Sequence, residues 1–308
     1  MITVLGPLLV KLFAVLAAGV LLRPRAPPAT HAIVNRLIID VVMPALLLLA
    51  LWRTRFAPVA VWAVLPAAAA HAVTCALAWL TARAFGLPRP AQGSALLTTT
   101  FANTGFLGYP VVLALFGTDG AAASTAIVID TLCTTVGLWT FGVVVATRHG
   151  GRRPFSLAGL LRALVRPLTV CVVLGLTLSL LAVPVPAFVD TGVAVLGVGV
   201  SVLVFLSLGL ALAPAAVTAR LAPIATLSAL KLFVMPLAVL VFARLAHLPP
   251  VVTAVAVLQC AMPSAMVSVI ISIDEGCDRD LAAGVAALST LACVATLPLV
   301  AWLLDATG

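Results

Sequence analysis

Apolar stretches of about twenty residues recur along the whole chain, separated by short polar or Pro/Gly-marked breaks. Each is long enough to cross the hydrocarbon core of a bilayer as a helix. With 64% hydrophobic and 8% charged residues, the chain has too little polar surface for a water-soluble fold, in which about a quarter of residues are charged. The spacing predicts an all-α membrane protein with ten spans, at 4–22, 33–50, 57–82, 92–116, 120–146, 164–182, 188–213, 221–246, 250–273 and 280–304. The first could be mistaken for a signal peptide, but no basic residue precedes it and it is long for such a segment.

A net charge of +8 would suggest nucleic-acid binding in a soluble chain. Here most arginines fall in the short connections, where they act as topology signals. With the amino terminus outside, twelve arginines lie in inward loops, among them Arg23, Arg83, Arg148, Arg152, Arg153, Arg220 and Arg279, while Arg53, Arg55 and Arg244 lie outward. The bias predicts a multi-pass protein of the cell inner (plasma) membrane with both termini outside.

The basic segment Arg148–Arg153 divides the chain almost in half. The expected organisation is a first five-helix repeat at 1–147, a cytoplasmic linker at 148–163 and a second five-helix repeat at 164–308. A shift of 159 residues superposes Gly117, Asp119, Ala123, Thr131, Leu132 and Leu138 on Gly276, Asp278, Ala282, Thr290, Leu291 and Leu297. Because five spans are an odd number, the second half enters the membrane from the opposite face. The repeats are therefore inverted, an arrangement typical of secondary transporters.

The fourth span contains Asn103, Gly105, Gly108 and Pro110 within eight residues, which predicts a broken helix. The same shift places Asn103, Thr104 and Gly105 on Met262, Pro263 and Ser264 of the ninth span, so both halves break at matching positions. Irregular backbone at membrane depth is tolerated only where protein or a polar cavity satisfies it. Half-helix amino ends supply free N–H groups and positive dipole, so paired breaks point to an anion-binding substrate site. The bland alternative is close packing at glycines and harmless proline kinks.

The run Asn103-Thr-Gly-Phe-Leu-Gly-Tyr-Pro110, followed by Ala114-Leu-Phe-Gly117, resembles the signature of the auxin efflux carrier family in its short bacterial form. The likeness continues at Met262-Pro-Ser-Ala265, Ser289-Thr-Leu291 and Thr296-Leu-Pro298 and covers the whole length. It implies ten helices as two inverted five-helix repeats in a sodium/proton antiporter-like fold, with the broken helices four and nine crossing. It also implies a carrier for organic anions such as auxin-like acids or small mono- and dicarboxylates. A crossover domain of spans three to five and eight to ten would move, elevator fashion, against a scaffold of spans one, two, six and seven. One departure from the family is Val267, followed by Ser268, where members often carry asparagine.

The expected substrate site comprises Asn103, Thr104, Gly105, Pro110, Pro263, Ser264 and Ala265. Three ionisable residues lie deep in spans: His71, Lys231 and Asp130. A charge at that depth costs roughly 2.5–3.5 kcal/mol on insertion scales, so each needs a polar partner or a wet cavity. The shift of 159 sets Lys231 on Ala72, beside His71. Related carriers use an ionisable pair from these two helices as a support region, and histidine titrates near physiological pH. His71 and Lys231 either stabilise and couple the crossover or are structural, with His71 hydrogen-bonding locally and Lys231 capping carbonyls. Asp130 either pairs with Lys231 or stays protonated.

The cysteines Cys75, Cys133, Cys171, Cys260, Cys277 and Cys293 are dispersed and read as small packing residues. The acidic cluster of Asp274, Glu275, Asp278 and Asp280 reads as a solvated loop. No nucleotide-binding loop, metal motif or nucleophile elbow occurs. No cofactor and no enzymatic activity are expected. The expected partners are the bilayer, an organic anion, a proton or sodium ion, and a second copy in a possible homodimer. A sodium-coupled symporter of the same fold and a membrane sensor without transport are the competing readings.

Overall fold

The computed structural model describes residues 10, 14–54, 57–117, 120–151, 167–189, 191, 202–203, 205–207, 209–210 and 218–307. Most of the expected linker, most of the span at 188–213 and the start of the span at 4–22 lie outside these residues. Among the described residues the chain is helical, without strands. Helix α1 covers Pro28–Leu37, a π-helical turn at Ile38–Val42, and Met43–Arg53. Then follow α2 (Pro58–Ala84), α3 (Arg89–Thr100), α4 (Thr104–Phe116), α5 (Ala121–Gly150) and α6 (Pro167–Leu180). The last four are α7 (Leu221–Leu245), α8 (Pro250–Cys260), α9 (Met266–Glu275) and α10 (Arg279–Thr307).

Four of these are long and apolar enough to cross a membrane: α2, α5, α7 and the Arg279–Leu304 part of α10. By contrast, α3 has 12 residues and α9 has 10, rising only about 18 and 15 Å at 1.5 Å per residue. Each falls short of the roughly 30 Å hydrocarbon core. They form two interrupted spans instead, α3 with α4 and α8 with α9. Proline sets the start of each outer half, with Pro90 in the first turn of α3 and Pro250 opening α8.

The outer layer is a close pair, α1 against α6. A Cβ on Gly175 would stand 2.7 Å from the carbonyl oxygen of Leu48, so only glycine allows the two backbones to approach this far. Across the same pair Trp52 Nε1 donates to the carbonyl of Val183 (2.8 Å) and Ser179 Oγ to that of Thr54 (2.5 Å). The remaining helices form a larger body in which α2 packs on α3 and α7, α8 on α5 and α7, and α10 on α3, α7 and α9. Small residues such as Ala78, Ala82, Ala91, Ala95, Ala282 and Ala286 are interspersed among the larger aliphatics of its core, which allows short interhelical distances.

At one end of that body the acidic loop is structured rather than merely solvated. Asp278 pairs with Arg220 (2.5 Å) and caps α10 by accepting from the Leu281 N–H (3.0 Å). Its backbone accepts from Ser94 Oγ (2.7 Å) and donates to the carbonyl of Pro90 (3.1 Å). One residue thus ties the starts of α3, α7 and α10. The described residues offer no group of acids, histidines or cysteines able to hold a metal, and the six cysteines are free thiols. Cys277, in this loop, has its thiol pushed up to about 11 by burial and then by the carboxylates of Glu275 and Asp278. It is held as a neutral packing group.

The end of α5 lies against the end of α9 so closely that a Cβ on Gly150 would fall 2.1 Å from the Glu275 carbonyl oxygen. Backbone cannot yield as a side chain does. Gly150→Ala should therefore lower stability by about 1–3 kcal/mol, despite alanine's better helix propensity. A thermal-unfolding scan of the purified variant in detergent checks this.

Candidate functional site

The two interruptions meet. Helix α3 ends when Phe101 turns extended (φ −94°, ψ 130°), and α4 starts only at Thr104. Helix α8 ends at Cys260, and α9 starts after Ala265, also extended (φ −63°, ψ 130°). The extended pieces pair antiparallel, with Ala102 opposite Ser264. The Asn103 N–H donates to the carbonyl of Pro263 (2.7 Å) and the Ala265 N–H to that of Phe101 (2.9 Å). The groups freed by one break are satisfied by the other.

This crossing brings together most of the substrate-site residues expected from the sequence. Asn103 (6% exposed), Thr104, Gly105 and Ala265 line a small cavity of about 30 Å³, together with Asp130, Thr134, Trp139, Met266 and Val267. That is about the volume of one water molecule. Pro263 and Ser264 are in the bridge itself. Pro110 is not a lining residue of this cavity; it sits in the first turn of the regular part of α4, beyond the π-helical Thr104–Gly108.

Asp130 belongs to the crossing rather than to Lys231. Thr104 Oγ1 donates to its Oδ1 at 2.5 Å, and a Cβ on Gly105 would lie 3.1 and 3.3 Å from its two oxygens. Among the described residues no lysine, arginine or histidine is paired with it. The shift of 159 maps Gly105 to Ser264 and Asp130 to Ser289, and those two also touch. The Ser264 N–H donates to Ser289 Oγ (3.2 Å), whose hydroxyl lies 3.1 Å from Ser264 Oγ. Where one crossing strand meets a carboxylate, the other meets a hydroxyl.

His71 and Lys231 stand elsewhere. His71 Nδ1 donates to the carbonyl of Ala67, 2.7 Å away, which fixes the tautomer, and its ring lies 6.0 Å from that of Phe101. Its Nε2 is buried without a partner at a different, apolar cavity of about 600 Å³ between α2, α3 and α5. Lys231 is wholly buried in the π-helical turn Leu230–Val234, with Nζ 2.7 Å from Met235 Sδ. It lies within electrostatic range of His71 and Cys260. Lys231 therefore lies on the α2–α7–α8 side, behind the crossing.

π-Helical turns carry three of these features: Thr104–Gly108, Ile129–Val136 with Asp130, and Leu230–Val234 with Lys231. Such turns concentrate at functional sites because they displace a side chain from the regular helical register.

Sequence reasoning missed Gln259. It is fully buried in the last turn of α8, with neither amide atom hydrogen-bonded among the described residues. A Cβ on Gly108 would lie 2.2 Å from its Oε1. A glutamine four residues before a helix-breaking proline was the available signal. Its side chain packs directly against the backbone of Gly108.

Residues 7–301 match the membrane transport protein family. An uncharacterized transporter of Methanothermobacter thermautotrophicus (strain ATCC 29096 / DSM 1053 / JCM 10044 / NBRC 100330 / Delta H) is 29% identical over 267 residues, covering 86% of each chain.

Proposed function

Because this chain belongs to the membrane transport protein family, that of the auxin efflux carriers, we propose that it is a secondary carrier of a small organic anion, a mono- or dicarboxylate or auxin-like acid, bound where its broken helices cross. The observation that carries the reading is the antiparallel pairing of Phe101–Asn103 with Pro263–Ala265 beside a small cavity that Asn103, Thr104, Asp130 and Thr134 help to line. It turns the amino ends of α4 and α9 toward one place at membrane depth. Free N–H groups and positive dipole at a helix start favour a carboxylate, and Asn103 adds an amide that can either donate or accept.

Ten spans in two inverted repeats, 1–147 and 164–308 joined by 148–163, account for the matched contacts of Gly105 with Asp130 and Ser264 with Ser289. In this reading both termini lie outside. The body holding the crossing moves, elevator fashion, against the α1–α6 pair with its partner spans. That motion exposes the cavity to each side in turn. His71 and Lys231 support the crossing from behind.

Counterflow in proteoliposomes with a panel of carboxylates tests the reading. Exchange of at least one carboxylate is expected, and binding without flux would instead identify a sensor. Asn103→Ala should weaken apparent affinity by roughly ten- to hundredfold, the worth of one buried hydrogen bond to a charged group at about 1.5–3 kcal/mol. Membrane insertion should be unaffected. Wild-type kinetics in that variant would remove Asn103 from the site.

A further inference from the structure

The two half-helix amino ends at the crossing are not equivalent. The start of α9 bears no acid, and its flanking residues Ala265, Met266 and Val267 open on the small cavity. The start of α4 already carries an anion from within the chain: Asp130 holds Oδ1 2.5 Å from Thr104 Oγ1 and approaches the Cα of Gly105, where any side chain would press on it. Asp130 thus occupies the place where a substrate carboxylate would otherwise bind at α4. It is partly exposed, toward the same cavity. Thr134 Oγ1, buried and without a hydrogen-bond partner, lines that cavity too.

A second carboxylate arriving at α9 would share about 30 Å³ of space with the first. Two like charges so close in a low-dielectric site repel strongly, and one of them must be neutralised. The titratable and charged groups around this turn are His71 and Cys75 on α2, Tyr109 on α4 with Arg53 of α1 in electrostatic range of it, Cys260 on α8, and Cys133 on α5 itself. Neither buried base reaches Asp130: His71 faces the other cavity, and Lys231 lies behind the crossing against Met235. A proton from solution can supply the neutralising charge.

Resting on the carrier reading, we propose that Asp130 is a resident anion at the start of α4 that takes up one proton each time an anionic substrate enters, so that substrate and proton cross together. The proton enters from the side that delivers the substrate, binds a carboxylate oxygen of Asp130, and leaves to the opposite side as the anion departs. Asp130, rather than His71, is then the residue that couples transport to pH.

Difference infrared spectroscopy on the purified full-length protein tests the protonation without requiring transport. Adding pyruvate or malonate at fixed pH should raise a protonated-carboxyl band in wild type and in His71→Ala. The rise should be absent in Asp130→Asn and return in Asp130→Glu, which keeps an acid and guards against a folding defect. No rise in wild type, or an equal rise in Asp130→Asn, overturns the proposal. In parallel, proteoliposomes with an entrapped pH dye should acidify as the probe enters, and Asp130→Asn should lose that acidification. Exchange without any band rise would sink the proton assignment and leave the carrier standing. A band rise without exchange would sink the carrier reading and co-transport with it, leaving only protonation of Asp130 on anion binding.

Discussion

Ala265→Pro is expected to lower carboxylate exchange by roughly ten- to hundredfold while the protein still inserts in the membrane. The backbone of Ala265 (φ −63°) already suits proline, so the substitution introduces no torsional strain of its own. It removes the N–H that donates to the Phe101 carbonyl at 2.9 Å and puts ring carbon in its place. The carbonyl would be left buried without its partner, at a cost of about 1–3 kcal/mol, and the two crossing strands would be pushed apart. Displacing the amino end of α9 from that of α4 by even part of an ångström misplaces both dipoles against the substrate. Ala265→Ser keeps the N–H and should retain most activity. Wild-type exchange in the proline variant would mean that the bridge is incidental to transport.

Lys231→Met should separate function from stability. Lys231 is wholly buried, and among the described residues no carboxylate pairs with it. A lysine at mid-membrane is disfavoured by roughly 2.5–3.5 kcal/mol on insertion scales. Methionine has similar length and would pack against Met235 without that penalty, so the thermal midpoint of the purified variant should stay level or rise. Exchange should nevertheless fall by about tenfold or more, because the ammonium stands beside Cys260, the last residue of α8 before the break, and within range of His71. If Lys231→Met exchanges at the wild-type rate, the lysine is a tolerated passenger. Lower stability in that variant would make it a structural brace.

Much of the crossing was legible beforehand because helix breaking is a local property. The crowding of Asn103, Gly105, Gly108 and Pro110 and the single Pro263 mark interruptions wherever they occur. Matching them by a shift of 159 required only counting. Asp130 was legible as an anomaly, an acid in an apolar run, but not as a partner of Thr104: they are 26 residues apart, and only the packing of α5 on α4 joins them. The sequence left pairing with Lys231 and a protonated carboxyl both open, and among the described residues no ion pair joins those two side chains. Gln259 passed unnoticed because a lone glutamine near a span end looks ordinary until its burial is known.

The amino-acid sequence by itself determined the solvent, the helical class and the family. Apolar stretches of fixed length, arginine placement and the Asn103-to-Pro110 run are properties of the chain read in order. Only the tertiary structure decided which half-helix end is free and which is filled. That depends on contacts between residues far apart in sequence, whose geometry the depth-matching of spans cannot supply. At α4 the chain's own carboxylate meets the Thr104 hydroxyl, at α9 a serine meets the crossing strand, and this difference between two formally equivalent ends is the asymmetry on which coupling would rest.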